Sequence, residues 1–397
     1  MEVVYNLSLP IINDSCSKLN LFYELQYSFQ MSDTPLFTVI IDTFNRPDYL
    51  NKAVNAVLGQ TYKNIELILI NNGATLETID YLVSVEKQYK NISLIHFKEN
   101  QFSFNDPQMM LDTCLNAALK LSRGEYIFYQ SDDDLIAKDY VDKMVGLFKN
   151  NGECITAAGR VLSVDENMNE TIPVHHNIRP RYMPGHLLSL QHLFVSGQIM
   201  LSVPGVYFTV KRDALINAGG FHRALDALYL YGILPFGVTG FDETTEFYWR
   251  RHSGQLNKML TKKAIFIGPN TTLDGIEEWE LEKKWTKHTD KRLAKKVINK
   301  IKELSSRDAA SIFILNVFRF NVNTCFQIIK RVGGLKYFWF FLPKSFFEYI
   351  NEITFKCIRK IIINRIKIMI KKIFDNYPNL EKVSMITKKY YIKSRKW

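Results

Sequence analysis

Ser131-Asp132-Asp133-Asp134 sets three carboxylates side by side. Like charges a few ångströms apart repel and raise one another's pKa unless something positive lies among them. A hard divalent cation resolves the conflict, because Mg²⁺ and Mn²⁺ take oxygen ligands and are commonly held by one or two carboxylates together with substrate phosphates. The same run could instead cap a helix beginning near Lys138. Other polar clusters are Asp42 to Arg46 and Asn71 to Thr75. Further along, Asp242, Glu243 and Glu246 precede Arg250 and His252, a set that could move a proton or touch an anion or metal.

The elements that must position these clusters are legible from hydrophobic pattern. Phe37 to Ile41, Ile65 to Ile70, Ile92 to Phe97 and Tyr126 to Tyr129 are short apolar runs stopped by polar residues, the mark of buried strands. Between them, Leu50, Ala53, Val54 and Val57 recur at helical spacing after Asp48, which can cap that helix. Thr78 to Tyr89 and Leu111 to Leu121 read as further helices. Strands alternating with helices predict a parallel sheet covered by helices, and in such sheets ligands bind beyond the carboxyl ends of the strands. The first three polar clusters all fall there. Gly205 to Asp213 predicts another strand, Gly240 to Glu246 a polar stretch leading into a helix through Arg251, and the pattern is mainly helical from about Glu280.

Three segments together carry a family resemblance: Thr38-Val-Ile-Ile-Asp-Thr-Phe-Asn-Arg-Pro47, Gln60-Thr-Tyr-Lys-Asn-Ile-Glu66 with Asn71-Asn-Gly73, and Gly124-Glu-Tyr-Ile-Phe-Tyr-Gln-Ser-Asp-Asp-Asp134. In order and spacing they resemble the family 2 glycosyltransferases of the GT-A fold. The resemblance is strongest over Leu36 to Val145 and continues more weakly to about Gly254. It implies an α/β, Rossmann-like, mostly parallel nucleotide-binding sheet and an inverting transfer of sugar from a nucleotide-diphosphate donor, most naturally a UDP-sugar. It also implies Mn²⁺ or Mg²⁺ as cofactor.

Residue by residue, the resemblance places Thr43, Phe44, Asn45 and Arg46 at the nucleotide, where Phe44 can stack on a base and Arg46 can approach phosphate. Asn71 stands where the family usually has an Asp that accepts from uracil. Asp133 falls at the metal-ligand position, with Asp132 beside it near the ribose or diphosphate; Asp134 and His252 are further metal candidates. Ser131 replaces the first acid of the family's metal motif. The segment Glu243-Thr-Thr-Glu246 resembles the family's base-bearing motif with Thr244 at the usual base position, so Glu243, Asp242 or Glu246 is left to take the proton. The paired Gly219-Gly220 before Phe221 resembles an acceptor-side turn.

Composition frames the rest. The 397-residue chain is 47% hydrophobic and 23% charged, so it can bury substantial cores. Residues 291–397 contain 25 basic and 6 acidic side chains, whereas residues 1–290 are net acidic. Three regions are expected: an extension over 1–33, a catalytic domain over 34–275 with donor (34–145) and acceptor (146–275) halves, and a basic helical region over 276–397. Read as a helix, Phe355, Ile358, Ile362, Ile366, Met369 and Ile373 share one face with lysines largely opposite, the pattern of a helix lying in an anionic membrane interface; packing on the catalytic domain is the other reading. Phe338-Trp-Phe-Phe341 could add an aromatic anchor. Five scattered cysteines without metal spacing suggest reduced thiols. No apolar run is long enough to span a bilayer, and no nucleic-acid motif is present. The expectation is an enzyme peripheral on the inner face of the cell membrane, using a glycan or polyprenyl-diphosphate-linked acceptor of capsule or O-antigen type. A nucleotide-sugar-binding protein without turnover and a membrane adaptor are the alternatives.

Overall fold

The computed structural model describes residues 34–103, 107–172, 180–196, 208–222, 228–255, 273, 276–277, 280–318, 322–332, 337–346 and 348–349. The chain divides into two compact units, Met1–Thr34 and Pro35–Trp397. The proposed interfacial helix from Phe355 to Ile373 lies outside the described residues, as do the 1–33 extension and most of 256–279.

In the larger unit the alternating strands and helices build one twisted sheet. Strands β1 (Phe37–Thr43), β2 (Ile65–Asn72), β3 (Ile92–Phe97) and β4 (Tyr126–Ser131) run parallel in the order β3-β2-β1-β4. Helices α1 (Pro47–Leu58), α2 (Leu76–Gln88) and α3 (Pro107–Leu121) make the crossovers. β1 and β2 are buried almost throughout, as expected of strands covered on both faces. The crevice between the carboxyl ends of β1 and β4 is the point from which the chain order departs in both directions.

Beyond β4 the sheet continues through β9 (Thr209–Lys211), β6 (Cys154–Val164), β10 (Val238–Arg250) and β5 (Leu135–Ile136). β9 runs antiparallel to both β4 and β6, and β10 runs parallel to β6. Two short strands complete the sheet: β7 (Glu170–Ile172) on β6 and β8 (Tyr182–Pro184) on β10. Helix α4 (Tyr140–Asn150) packs against β6 and β10, and α5 (Gly185–Leu190) follows β8.

Three local expectations are corrected. The segment expected to become a helix through Arg251 is strand β10: Val238, Thr239, Phe241, Thr244, Thr245, Phe247, Tyr248 and Trp249 are residues that fit a pleated surface, and ladder pairing with β6 outweighs the acidic residues that suggested a helix start. The strand expected up to Asp213 ends at Lys211, and α6 (Arg212–Asn217) begins at once. Asp48 lies in the first turn of α1 and does not cap it; Arg46 occupies the cap position without a side-chain bond there.

The Gln60 to Glu66 motif is structural. Gln60 joins the end of α1 to Ala137 and Val141, accepting from Val141 N at 3.0 Å. Buried Glu66 accepts from Thr38 Oγ1, Arg123 N and Gly124 N at 2.6, 2.6 and 2.9 Å, fixing the entry to β4.

The C-terminal helices α7 (Leu228–Ile233), α8 (Leu281–Thr286), α9 (Lys291–Phe318) and α10 (Val322–Val332) are followed by a helix over 337–346. Fully buried Trp285 on α8 donates to Tyr231 O on α7 at 2.9 Å. No described helix is long and apolar enough to cross a membrane.

Candidate active site

The carboxyl ends of β1 and β4 converge on Asp132 and Asp133. In the register of the two strands Asp42 faces Ser131, so the turn after β1 and the acidic run after β4 lie on the same rim. Arg46 reaches across this rim, with Nη2 2.7 Å from Asp132 Oδ1 and Nη1 2.7 Å from Asp133 Oδ2. Thr43 Oγ1 donates to the other oxygen of Asp132 at 2.7 Å. Arg46 stands at the start of α1 but, as a donor only, cannot cap it; its guanidinium is committed here.

The second side of the site comes from the far end of β10. His252 Nε2 lies 2.9 Å from Asp133 Oδ2, and its ring packs on Tyr49 with centroids 4.6 Å apart. Arg250, almost fully buried, donates through Nε to Asp133 O and lies over the Tyr49 ring at 4.9 Å. Asp134 Oδ1 accepts from Arg250 N at 3.0 Å, so its carboxylate meets the β10 backbone while Asp132 and Asp133 face Arg46. The acidic run does not cap the next helix, which starts at Tyr140 after Asp139.

Charge is crowded in this pocket. Burial, opposed by Arg46 and reinforced by Asp133, pushes Asp132 up, whereas hydrogen bonding from His252 and the charge of Arg46 overcome burial and hold Asp133 below the ordinary carboxylate range. Burial also raises Asp42, whose carboxylate accepts from Tyr129 OH at 2.6 Å, and raises Asp134 strongly. The acids outweigh burial at Arg46 and lock it in its charged form.

Asp133 and His252 are the two side chains here whose donor atoms could serve a divalent cation. Asp133 Oδ2 and His252 Nε2 stand 2.9 Å apart as a hydrogen-bonded pair, and the same oxygen accepts from Arg46 Nη1 at 2.7 Å. Among the described residues no cluster of three or more His, Cys, Asp or Glu side chains is set up to ligate a metal. An ion held here would therefore take its remaining ligands from water and the substrate, as phosphate-bridging cations do.

The turn after β2 completes the rim. Asn71 is buried; its Oδ1 accepts from Ala74 N at 2.8 Å and its Nδ2 donates to His96 Nδ1 at 3.0 Å. Asn45, at a positive φ of 54°, accepts from Thr75 N at 2.6 Å and ties the β1 turn to the β2 turn. Gly73 has φ 69°, and a Cβ there would sit 2.3 Å from Asn100 N. Phe44 is 40% exposed, a free aromatic face beside these groups.

Thr43, Arg46, Asp132, Asp133 and His252 are thus brought together, with Phe44, Asn45 and Asn71 on the adjoining rim. Among the described residues no hydrogen bond or ion pair ties Asp242, Glu243 or Glu246 to the Asp132–Asp133 pair. β10 places Glu243 seven positions before Arg250, which at ~3.3 Å per residue is roughly 15–20 Å after allowance for its bulge. Glu243 is exposed. Asp242 Oδ1 accepts from Thr244 N at 3.0 Å, and Glu246 pairs with Arg160 at 2.5 Å. Sequence reasoning missed Tyr49 and Glu166, which accepts from Tyr49 OH at 2.5 Å, and gave Asp42 only as the first residue of a polar cluster. Of these, only Asp42 carried a signal, a charge closing an otherwise apolar run.

The profile described as glycosyl transferase family 2 matches residues 38–207, which contain β1 through β4 and the Asp132–Asp133 pair. A Haemophilus influenzae protein described as an uncharacterized glycosyltransferase is 31% identical over 134 residues, 34% of this chain and 39% of that protein. An uncharacterized glycosyltransferase of Rickettsia typhi is 25% identical over 259 residues, 63% of this chain and 71% of that one. The crystal structure of S. aureus TarS 1-349 in complex with UDP aligns with a TM-score of 0.48 at 12% identity, covering 80% of this chain and 92% of that one. The chain spans 39% and 44% of the length of the first two curated relatives. Residues 38–207 thus carry a glycosyl transferase family 2 domain.

Proposed function

We propose that this chain transfers a sugar, with inversion, from a nucleoside-diphosphate donor to a hydroxyl of a glycan or polyprenyl-diphosphate-linked acceptor in surface-polysaccharide synthesis, with 34–275 as its catalytic domain. The observation that carries the donor reading is the grouping of Arg46, Asp132, Asp133 and His252 in the crevice between the carboxyl ends of β1 and β4. Asp133 and His252 would hold Mn²⁺ or Mg²⁺, which when bound neutralises the departing diphosphate. Arg46, whose side chain is 31% exposed, supplies a fixed positive charge at the same place, and a guanidinium matches phosphate oxygens in a bidentate way. Thr43 orients Asp132 through its hydroxyl. Phe44 offers a stacking face for the base.

The inverting step needs a carboxylate to take the acceptor proton, a role worth ~10²–10⁴ in rate. The donor reading does not depend on Asp242, Glu243 or Glu246 filling it. A panel of UDP-, GDP-, CMP- and dTDP-sugars with Mn²⁺, read by release of the free nucleotide, tests the proposal. Nucleotide release from at least one donor, lost on chelation, is the expected result; folded protein that releases none refutes it.

A further inference from the structure

A second charged feature lies away from the donor site. Arg292, Lys295, Lys296 and Lys300 on α9 line an open groove of ≈ 410 Å³ together with Phe194, Tyr337 and Glu303. Its acid is already engaged, since Glu303 Oε1 lies 2.7 Å from Lys300 Nζ. Among the described residues no carboxylate pairs with Arg292, Lys295 or Lys296. The ammonium groups of Lys296 and Lys300 stand 5.2 and 5.7 Å from the centroid of the Phe194 ring, within cation–π range of an exposed aromatic face. The groove is therefore a site of concentrated positive charge over an apolar base.

Its rim is aromatic. Tyr337 lines the groove, and in the helix over 337–346 Phe340 follows one turn later on the same face. Phe340 is 72% exposed and the adjacent Trp339 53%. Exposed aromatic rings beside lysines are the composition of a surface that enters the headgroup layer of a bilayer, where rings occupy the apolar boundary and ammonium groups meet phosphate. A purely soluble anion would account for the cations and leave the two rings unexplained.

We propose that this groove is an acidic-phospholipid site, with a headgroup phosphate among Arg292, Lys295 and Lys296 and with Trp339 and Phe340 in the interface. The site is separate from the donor crevice. Phe194 follows α5, whose Gly185 N donates to Gly237 O at the start of β10. The donor site lies at the other end of that strand, 13 residues long with a bulge, a span on the order of 30 Å. Lipid engagement therefore leaves nucleotide release unaltered, and the proposal stands or falls independently of the donor reading.

The test is sedimentation of the full chain with vesicles of phosphatidylcholine alone or containing phosphatidylglycerol. Wild type should partition onto the acidic vesicles. Lys295→Glu with Lys296→Glu should weaken this by about tenfold or more, as two basic residues at an anionic surface imply, and Trp339→Ala with Phe340→Ala by about fivefold or more. Lys90→Glu with Lys98→Glu makes the same change in net charge on exposed positions beside β3 and should alter binding by less than about twofold. Melting temperature and nucleotide release should match wild type in all three, which keeps a lost fold or a lost donor site distinguishable from a lost lipid site. Equal losses in the two charge-reversal pairs would reduce the effect to diffuse attraction and overturn the proposal. Unchanged binding by the aromatic pair, or equal partition onto neutral vesicles, would overturn it as well.

Discussion

Replacing Asp133 by Asn removes one charge and almost no volume, and the structure sets the size of both consequences. Removing one partner of a buried ion pair typically costs ~3–5 kcal/mol. Here Arg46 keeps Asp132 at 2.7 Å and is itself partly exposed, while the mutation relieves repulsion among Asp42, Asp132, Asp133 and Asp134. The ligand-free variant should therefore melt within about 1 kcal/mol of wild type. Metal-dependent capture of the nucleotide should behave differently. At a ligand concentration of about 100 Kd, binding stabilises the folded state by ~2.7 kcal/mol, or ~5–10 °C by the scaling for a domain of a few hundred residues. Loss of the carboxylate ligand at a cost of ~100-fold in affinity brings the same concentration to about one Kd, where the gain is ~0.4 kcal/mol and ~1 °C. Thermal melts of both proteins over nucleotides with Mn²⁺, and again with chelator, give the comparison. An Asp133→Asn variant that keeps the full Mn²⁺-dependent shift would refute the ligand role. A ligand-free variant that melts far below wild type would show that the residue is chiefly structural.

Three further outcomes follow from the same geometry. Glu243→Gln should change kcat by less than about threefold, since Glu243 is exposed on β10 and no hydrogen bond or ion pair among the described residues ties it to the carboxylate pair; a loss of ~10²–10⁴ in steady-state assays would restore it as the base. Asp42→Asn keeps an acceptor for Tyr129 OH and removes a carboxylate whose pKa burial raises. A raised folded pKa means that ionisation destabilises the fold as pH rises from the unfolded value, so the variant should melt higher than wild type at neutral pH and the gap should close as pH falls into the ordinary carboxylate range; a gap that widens in acid contradicts this in a pH series of melts. Gly73→Ala forces a side chain into positive φ and onto Asn100 N, and should cost about 1–3 kcal/mol in denaturant unfolding with a weakened nucleotide-induced shift; an unchanged midpoint would mean that the β2 turn tolerates a different shape.

Much of the donor half was legible before any coordinates. Phe37 to Ile41, Ile65 to Ile70 and Tyr126 to Tyr129 are apolar runs whose local chemistry suits buried strands, and the polar residues that stop them mark the sheet's carboxyl edge. β10 was not legible in the same way. Asp242, Glu243 and Glu246 look locally like the acidic start of a helix, and the segment becomes a strand because β6 offers it a ladder. No hydrogen bond or ion pair among the described residues ties these acids to the pair. His252 illustrates the reverse: a metal candidate in the sequence, it meets Asp133 only through a contact 119 positions away in the chain.

The amino-acid order by itself determined the first four strands, where carboxylates accumulate and that the last part of the chain is strongly basic, because each depends on neighbours a few residues apart. Only the tertiary structure decided that Arg46 bridges Asp132 and Asp133 across 87 positions and that Arg250 is buried beneath them. Contacts of that kind are selected by the closing of the whole sheet: burial makes each unpaired charge costly, and the arrangement that pairs the charges while keeping both faces of β1 and β4 covered is a property of the packed fold.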